Sequence, residues 1–214
     1  MEKLITKFIK IGHFQFMKEL YDKGEVYFNT VDFFKQCDNN KERFDIYENA
    51  SEIDQITWLK IADEKGGFYQ LSKEIGNGIH LSNANLITHD NTIKGNIFSC
   101  IGITPDNINE FKQINSKFKE FGDTVLLIEN PNEFLNRIVR ELDKKKIKHR
   151  IGLVNYYNPF SKIGSLSVYD KKEEHSYQNE FRIWINYEED KPTTITIGSI
   201  KDFTRIYRLD DLLK

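Results

Sequence analysis

The sequence predicts a mixed α+β fold, and three observations lead there. Strand-like and helix-like stretches follow one another in no regular order, neither β-α-β throughout nor all strand. Sixteen Phe and ten Tyr against two Met and four Pro make a core composition that suits sheets better than a helical bundle. The turn signals Gly66-Gly67 and Gly76-Asn77-Gly78 separate short strand candidates as hairpin turns do, so the sheets should be mostly antiparallel. The 214 residues fit one domain, 1–214, and suffice to bury a continuous core.

Residues 4–11 alternate well enough for a first strand, with Ile5, Phe8 and Ile11 apolar. A short amphipathic helix follows over 13–21, where Phe14, Met17, Leu20 and Tyr21 share a face, and Gly24 falls where a C-cap belongs. A strand over 26–28 leads into a second short helix through Phe34. The polar run 36–45 reads as a surface loop, and strand candidates follow at 56–61, 68–71, 79–81 and 85–88. The largely apolar run 96–104 predicts a central strand. Two helices, 107–121 and 132–146, frame a strand at 123–128, and the second buries Phe134, Leu135, Ile138, Val139 and Leu142. Strands at 151–157, 181–185 and 193–197 complete the pattern, the last two expected to pair as a hairpin across 188–192.

Thirty per cent charged residues and a net charge of −2 exclude a strongly basic nucleic-acid binder but leave a local basic patch open. One such run, residues 144–150, closes the helix 132–146. Its cations complement the helix dipole as a solvated helix end, or form a nucleic-acid patch. No stretch reaches the roughly 20 apolar residues that span a bilayer, and the first eight residues alternate charged and apolar side chains, unlike a secretory leader. Cys37 and Cys100 lack Cys or His neighbours at metal-ligand spacing. They read as free thiols of a reducing compartment, most simply the cytoplasm.

Three clusters could carry chemistry. The first is Lys10 to His13, at the end of the first strand. The second is Tyr27-Phe28-Asn29-Thr30, followed by the polar loop with Arg43, Asp45 and Glu48. The third, Tyr177 to Arg182, enters a strand. Period-2 alternation there turns Phe181, Ile183 and Ile185 to the core, and Gln178, Glu180, Arg182 and Trp184 to a polar face or cleft. A carboxylate beside an amide and a guanidinium suits a developing cation such as an oxocarbenium-like transition state. It also suits an exposed cross-strand ion pair of little energetic weight.

Gln178-Asn179-Glu180 opening a strand resembles the Gln/Glu-x-Glu signature of ADP-ribosyltransferases. The resemblance implies NAD as substrate, Glu180 stabilising the ribosyl cation as nicotinamide leaves, and Gln178 orienting the acceptor, a protein or a nucleic acid. It implies a cleft between two small sheets with flanking helices, where His13 or Lys10 and Phe28-Asn29-Thr30 hold NAD. Arg43, Asp45 and Arg182 would then face the acceptor, the first two on a lid-like loop. A looser likeness spans most of the chain, from Gly24-Glu25-Val26-Tyr27-Phe28-Asn29-Thr30 through Phe121-Gly122-Asp123-Thr124 to Glu180-Phe181-Arg182-Ile183. It is to bacterial domains of mobile elements and of defence or toxin loci. It implies a role in defence, toxicity or phage counter-defence, with an antitoxin or inhibitor protein as partner.

Other constellations are absent. There is no Gly-x-x-x-x-Gly-Lys-Ser/Thr loop, no Gly-x-Ser-x-Gly elbow and no His-Glu-x-x-His, and the five His are scattered, so no metal site is expected. Two alternatives stay open. One is a non-catalytic binding protein on the same fold, a phage inhibitor or nucleotide sensor. The other is a metal-dependent nuclease built on Asp38, Asp45 and Glu48.

Overall fold

The structure, a computed structural model, describes residues 4–35, 50–56, 58–62, 68–72, 84–89, 94–109, 114–187, 189 and 191–213. Its elements are β1 (Lys7–Gly12), α1 (Phe14–Lys23), β2 (Glu25–Thr30), α2 (Val31–Lys35), β3 (Glu52–Gln55), β4 (Trp58–Ala62), β5 (Phe68–Ser72), β6 (Asn85–Thr88), β7 (Asn96–Ile103), β8 (Thr124–Ile128), α3 (Pro131–Lys144), β9 (His149–Leu153), β10 (Asn155–Tyr157), β11 (Gly164–Ser165), β12 (Asp170–Lys172), β13 (Glu180–Ile185), β14 (Thr193–Thr196) and β15 (Thr204–Arg208). The fold is mixed α+β with mostly antiparallel sheets, as the sequence pattern predicts. Among the described residues no helix is long and apolar enough to cross a membrane.

An eight-stranded sheet organises the molecule in the order β14-β2-β7-β1-β8-β15, with β13 on the other edge of β7 and β9 beyond it. Alternation along β7 sorts two apolar layers. Phe98 and Cys100 join Phe8, Phe28, Phe181, Ile183 and Ile185 against Met17 and Leu20 of α1 and Phe134, Ile138 and Leu142 of α3. Ile101 and Ile103 join Ile9, Ile11 and Val125 on the opposite face, under Phe118 and Leu209. The Phe8 and Phe181 rings meet at 4.7 Å, and Phe134 closes on Phe98 at 6.0 Å. Each such fully buried side chain contributes about 1.5–3 kcal/mol by leaving water.

The helix ends follow their sequence signals. The Asn130 side chain accepts from the Glu133 amide and Pro131 opens α3, so the first turn is capped. At its other end the Ile147 amide donates to the Leu142 carbonyl (2.9 Å) and the Lys146 amide to the Asp143 carbonyl (2.9 Å). That pairing is a Schellman motif, and it puts Lys146 in the left-handed region at φ 56°, a place usually held by glycine. Gly24 ends α1 with a simpler left-handed cap at φ 71°, its amide donating to the Leu20 carbonyl (2.9 Å), and a Cβ there would lie 2.0 Å from the Gly198 carbonyl oxygen.

Three expectations are corrected. The strand β14 does not form a hairpin with β13, because β7 and β9 occupy both edges of β13. It pairs with β2 instead, through Thr193↔Phe28 to Thr196↔Glu25. The helix expected over 107–121 is a turn at 105–109 and a 3-10 helix at Ser116–Phe121, with 110–113 outside the described residues. There the Asn107 side chain caps the end of β7, accepting from the Thr104 amide and donating to the Gly102 carbonyl. The single strand expected over 151–157 is split into β9 and β10. The strand candidate 79–81 and the polar run 36–45 lie outside the described residues.

The two left-handed positions give opposite expectations in equilibrium unfolding. Gly24→Ala should lower stability by about 2 kcal/mol or more, because strain and a backbone clash add. Lys146→Gly should raise it by about 1 kcal/mol by relieving the left-handed lysine.

Candidate functional site

The site begins with a fork in the central sheet. One edge of β7 pairs with β1 from Lys7↔Ile103 to Ile9↔Ile101, and with β2 only at Asn29↔Ile97 and Thr30↔Asn96. Ser99 falls between the two partners. Its carbonyl accepts a hydrogen bond from Lys10 Nζ at 2.6 Å, and that ammonium also sits 4.7 Å from the Phe98 ring centroid. Lys10 therefore reaches from β1 into the fork and supplies a donor where a strand would otherwise stand.

On the far edge of β7, the 3-10 helix Glu173–Gln178 runs into β13 through Asn179, at φ 40°. Asn tolerates this left-handed conformation, and the turn delivers both neighbours to one place. The Glu180 amide donates to the Tyr156 hydroxyl at 2.8 Å, and the Glu180 carbonyl accepts from the Val154 amide at 2.9 Å. The carboxylate is thus held by backbone on both sides before its own contacts are counted.

Those contacts form a buried charge network. Arg182 donates from Nε to Glu180 Oε1 at 2.7 Å and from Nη2 to Oε2 at 3.2 Å. Lys171 Nζ donates to Glu180 Oε2 at 3.0 Å and to Gln178 Oε1 at 2.9 Å. Gln178 Nε2 donates to the Tyr177 hydroxyl, and Arg182 Nη1 to the Val168 carbonyl. Lys171, Gln178, Glu180 and Arg182 are each under 9% exposed. Burial raises the Glu180 carboxyl, but Arg182 and Lys171 outweigh it and hold the group well below the carboxylate range. Burial together with the Glu180 charge pushes the Tyr156 hydroxyl up. Burial also pushes the Cys100 thiol up to about 12, with Lys10 opposing, so this thiol is an inert core group.

A pocket opens beside the network. Lys10, Ser99, Lys171, Gln178, Glu180 and Arg182 line it with Ile9, Ile11, Ile97, Ile101, Phe118 and Phe121, and its free space is about 60 Å³. That is room for a few water molecules rather than an enclosed drug-sized ligand.

The structure brings together Lys10, Gln178, Glu180 and Arg182 from distant parts of the chain. The other expected NAD-holding residues lie elsewhere. Phe28 is fully buried against Phe98 in the core. Asn29 accepts from the Thr30 amide and Thr30 from the Phe33 amide, so both serve the start of α2. His13 is the exposed residue before α1, where Asp123 accepts the Phe14 amide in its stead. Arg43 and Asp45, with Asp38 and Glu48 of the nuclease alternative, lie outside the described residues, and no metal-holding cluster occurs among those described. The ion pair of Glu180 is real, but it joins Arg182 on the same strand and is buried rather than exposed.

Sequence reasoning missed Lys171 and Tyr156. Both come from the short parallel pair β10–β12, where Tyr156 stands opposite Lys171. The surrounding Asp170-Lys171-Lys172-Glu173-Glu174 reads as a solvated charge run, and nothing in it marks one lysine as buried. No protein-family profile matches the chain, and no curated protein or solved structure proves similar to it.

Two measurements address the network. Lys171→Met removes one partner of a buried charge and should cost about 3 kcal/mol at neutral pH. Glu180 has its folded pKa below its usual 4.5, so its stabilisation is present above 4.5 and lost as pH falls towards the folded value. Urea midpoints of the wild type should therefore drop below about pH 4.5. Those of Glu180→Gln, which has no carboxyl to titrate, should start lower and fall less.

Proposed function

We propose that the protein is an NAD-consuming ADP-ribosyltransferase-like domain whose reacting centre is Glu180, with Gln178 orienting the acceptor. The observation that carries this reading is the convergence of Lys10, Gln178 and Glu180 on one pocket at the fork of the central sheet. Glu180 also has the required protonation state, because its neighbours keep it ionised at any physiological pH. A carboxylate offers about four acceptor positions. Arg182 and Lys171 take three of them, which leaves one on Oε1 for a ribose hydroxyl. The glycosidic bond to nicotinamide would break, nicotinamide would leave neutral, and the acceptor or water would capture the ribosyl cation. Only a fragment of NAD fits the present free space, so the remainder would lie outside the pocket walls. A place in bacterial defence, toxicity or phage counter-defence, with an antitoxin or inhibitor protein as partner, belongs to the same proposal and rests on the resemblance alone.

One observation favours a second reading, a non-catalytic binding protein. Both carboxylate oxygens of Glu180 already bind cations, which weakens the field it can direct at a developing positive charge.

Incubation of the pure protein with NAD, with free nicotinamide measured by chromatography, separates the two. Transfer requires steady nicotinamide release, and Glu180→Gln should slow it by about 10²–10³-fold. NAD affinity should barely move, because the charge acts on the transition state more than on bound substrate. Gln178→Ala should impair transfer to an acceptor more than hydrolysis. Saturable NAD binding without nicotinamide release would assign the pocket to the second reading.

A further inference from the structure

We propose that the basic groove at the end of α3 is a binding surface for single-stranded nucleic acid. The groove is lined by Lys146, Lys148, Arg150 and Trp184, with one acid, Asp143, beside His149. Lys145, Lys146, Lys148 and Arg150 are all exposed, and none forms an ion pair with another described residue. Of the neighbouring acids, Glu141 lies 3.7 Å from Lys144, and Asp143 stands in the groove itself, 3.9 Å from His149. Four exposed cations within six residues contrast with a chain whose net charge is −2.

One half-buried aromatic ring, Trp184, borders the same place, over the buried Tyr169. Arg150 sits 5.4 Å over the Tyr169 ring, and its cross-strand neighbour is Trp184. The half-buried indole donates to the Lys94 carbonyl at 2.9 Å and lies so close under Gly95 that a Cβ there would meet it at 2.6 Å. The ring is therefore fixed, and Lys94, whose carbonyl it meets, is exposed. Cations that track phosphates beside an aromatic face that stacks bases are the two elements of single-strand recognition, and unpaired bases alone can reach such a face.

Simpler roles account for only part of this. A helix dipole calls for a cation in the last turn, which Lys144 supplies. The open edge of β9 needs a charge or two against strand pairing, which Lys148 and Arg150 supply. Neither role explains a lysine in the left-handed position of the cap, where glycine would be more stable. Backbone strain kept at a surface position points to a use for that side chain. The surface stands independently of the NAD reading. If that reading holds, Trp184 lies four residues from Glu180 on the same face of β13, about 13 Å along the strand, and a bound strand would be the acceptor.

The test is fluorescence anisotropy of the full chain with a short labelled oligo(dT), without NAD, over a salt series. Binding is expected at low salt, with a log–log salt slope of about −3 for four neutralised phosphates. Combined Lys145→Glu and Lys148→Glu should weaken it at least about tenfold, and Lys146→Gly should reduce the slope by about 0.7 while the melting temperature holds or rises. This last variant separates binding from folding. Absence of binding at low salt, or equal binding by the charge-reversed protein, overturns the proposal. So does equal binding of a matching duplex, or displacement of the oligonucleotide by poly-glutamate at equal charge, which would make the groove a site for acidic protein.

Discussion

Everything in this molecule is hung on β7, an eight-residue strand whose two edges are used unequally. Its β13 edge is paired continuously, from Glu180↔Ile101 to Ile185↔Asn96. Its other edge is divided between β1 and β2, which meet it at opposite ends and leave Ser99 between them. A backbone carbonyl left in such a gap must find a donor or bear the cost of an unmade hydrogen bond, and Lys10 is that donor. The fork therefore fixes a cation at the spot where the two halves of the sheet diverge. The same strand passes alternate side chains to the helix-covered core and to the pocket face, so its register sets both layers together.

The buried network follows from the other edge. Removing a carboxylate from water costs several kcal/mol, which only well-formed partners can offset. Glu180 meets that condition with Arg182 and Lys171, and Lys171 extends the network to Gln178. A network so completely made defines one arrangement of β12, the 3-10 helix and β13, since a slip of one residue would strand a buried charge. The same property limits chemistry, for a carboxylate that stabilises its own surroundings has less field to direct at a substrate. Under the proposed function, structure and catalysis would draw on the same group, and variants of Lys171 and Glu180 would move stability as well as any activity.

Much of the frame was legible in the sequence because it rests on local rules. The caps of α1 and α3, the apolar run of β7 and the two faces of β13 each follow from residues near one another. The orientation of Glu180 and Arg182 towards a pocket came from alternation alone. Gln178 reached the same pocket for a different reason, since Asn179 turns the chain before the strand begins. What could not be read is pairing between distant segments. The partner of β14 is β2, far away in sequence, and β15 is mostly exposed and shows no apolar alternation. Lys171 became a buried residue only because β12 lies beside β10. The helix expected over 107–121 had the apolar spacing of one, but Asn107 caps the end of β7 and 116–121 closes as a 3-10 helix under the second apolar layer.

The two charged regions of this chain differ in the way their charges are satisfied, and that difference separates their roles. At the pocket, Glu180 is surrounded by cations in fixed geometry, so its strength lies in position and its titration is displaced well below the usual carboxylate range. At the end of α3, four exposed cations outnumber the nearby carboxylates Glu141 and Asp143, so their strength lies in long-range attraction that salt will screen. A ligand read by the first must fit a small pocket, whereas one read by the second needs only a regular line of negative charge. Both lie on the strand pair β9–β13, one towards each end. A single rigid ladder therefore fixes the distance between a position that could do chemistry on a small molecule and a surface that could hold a polymer.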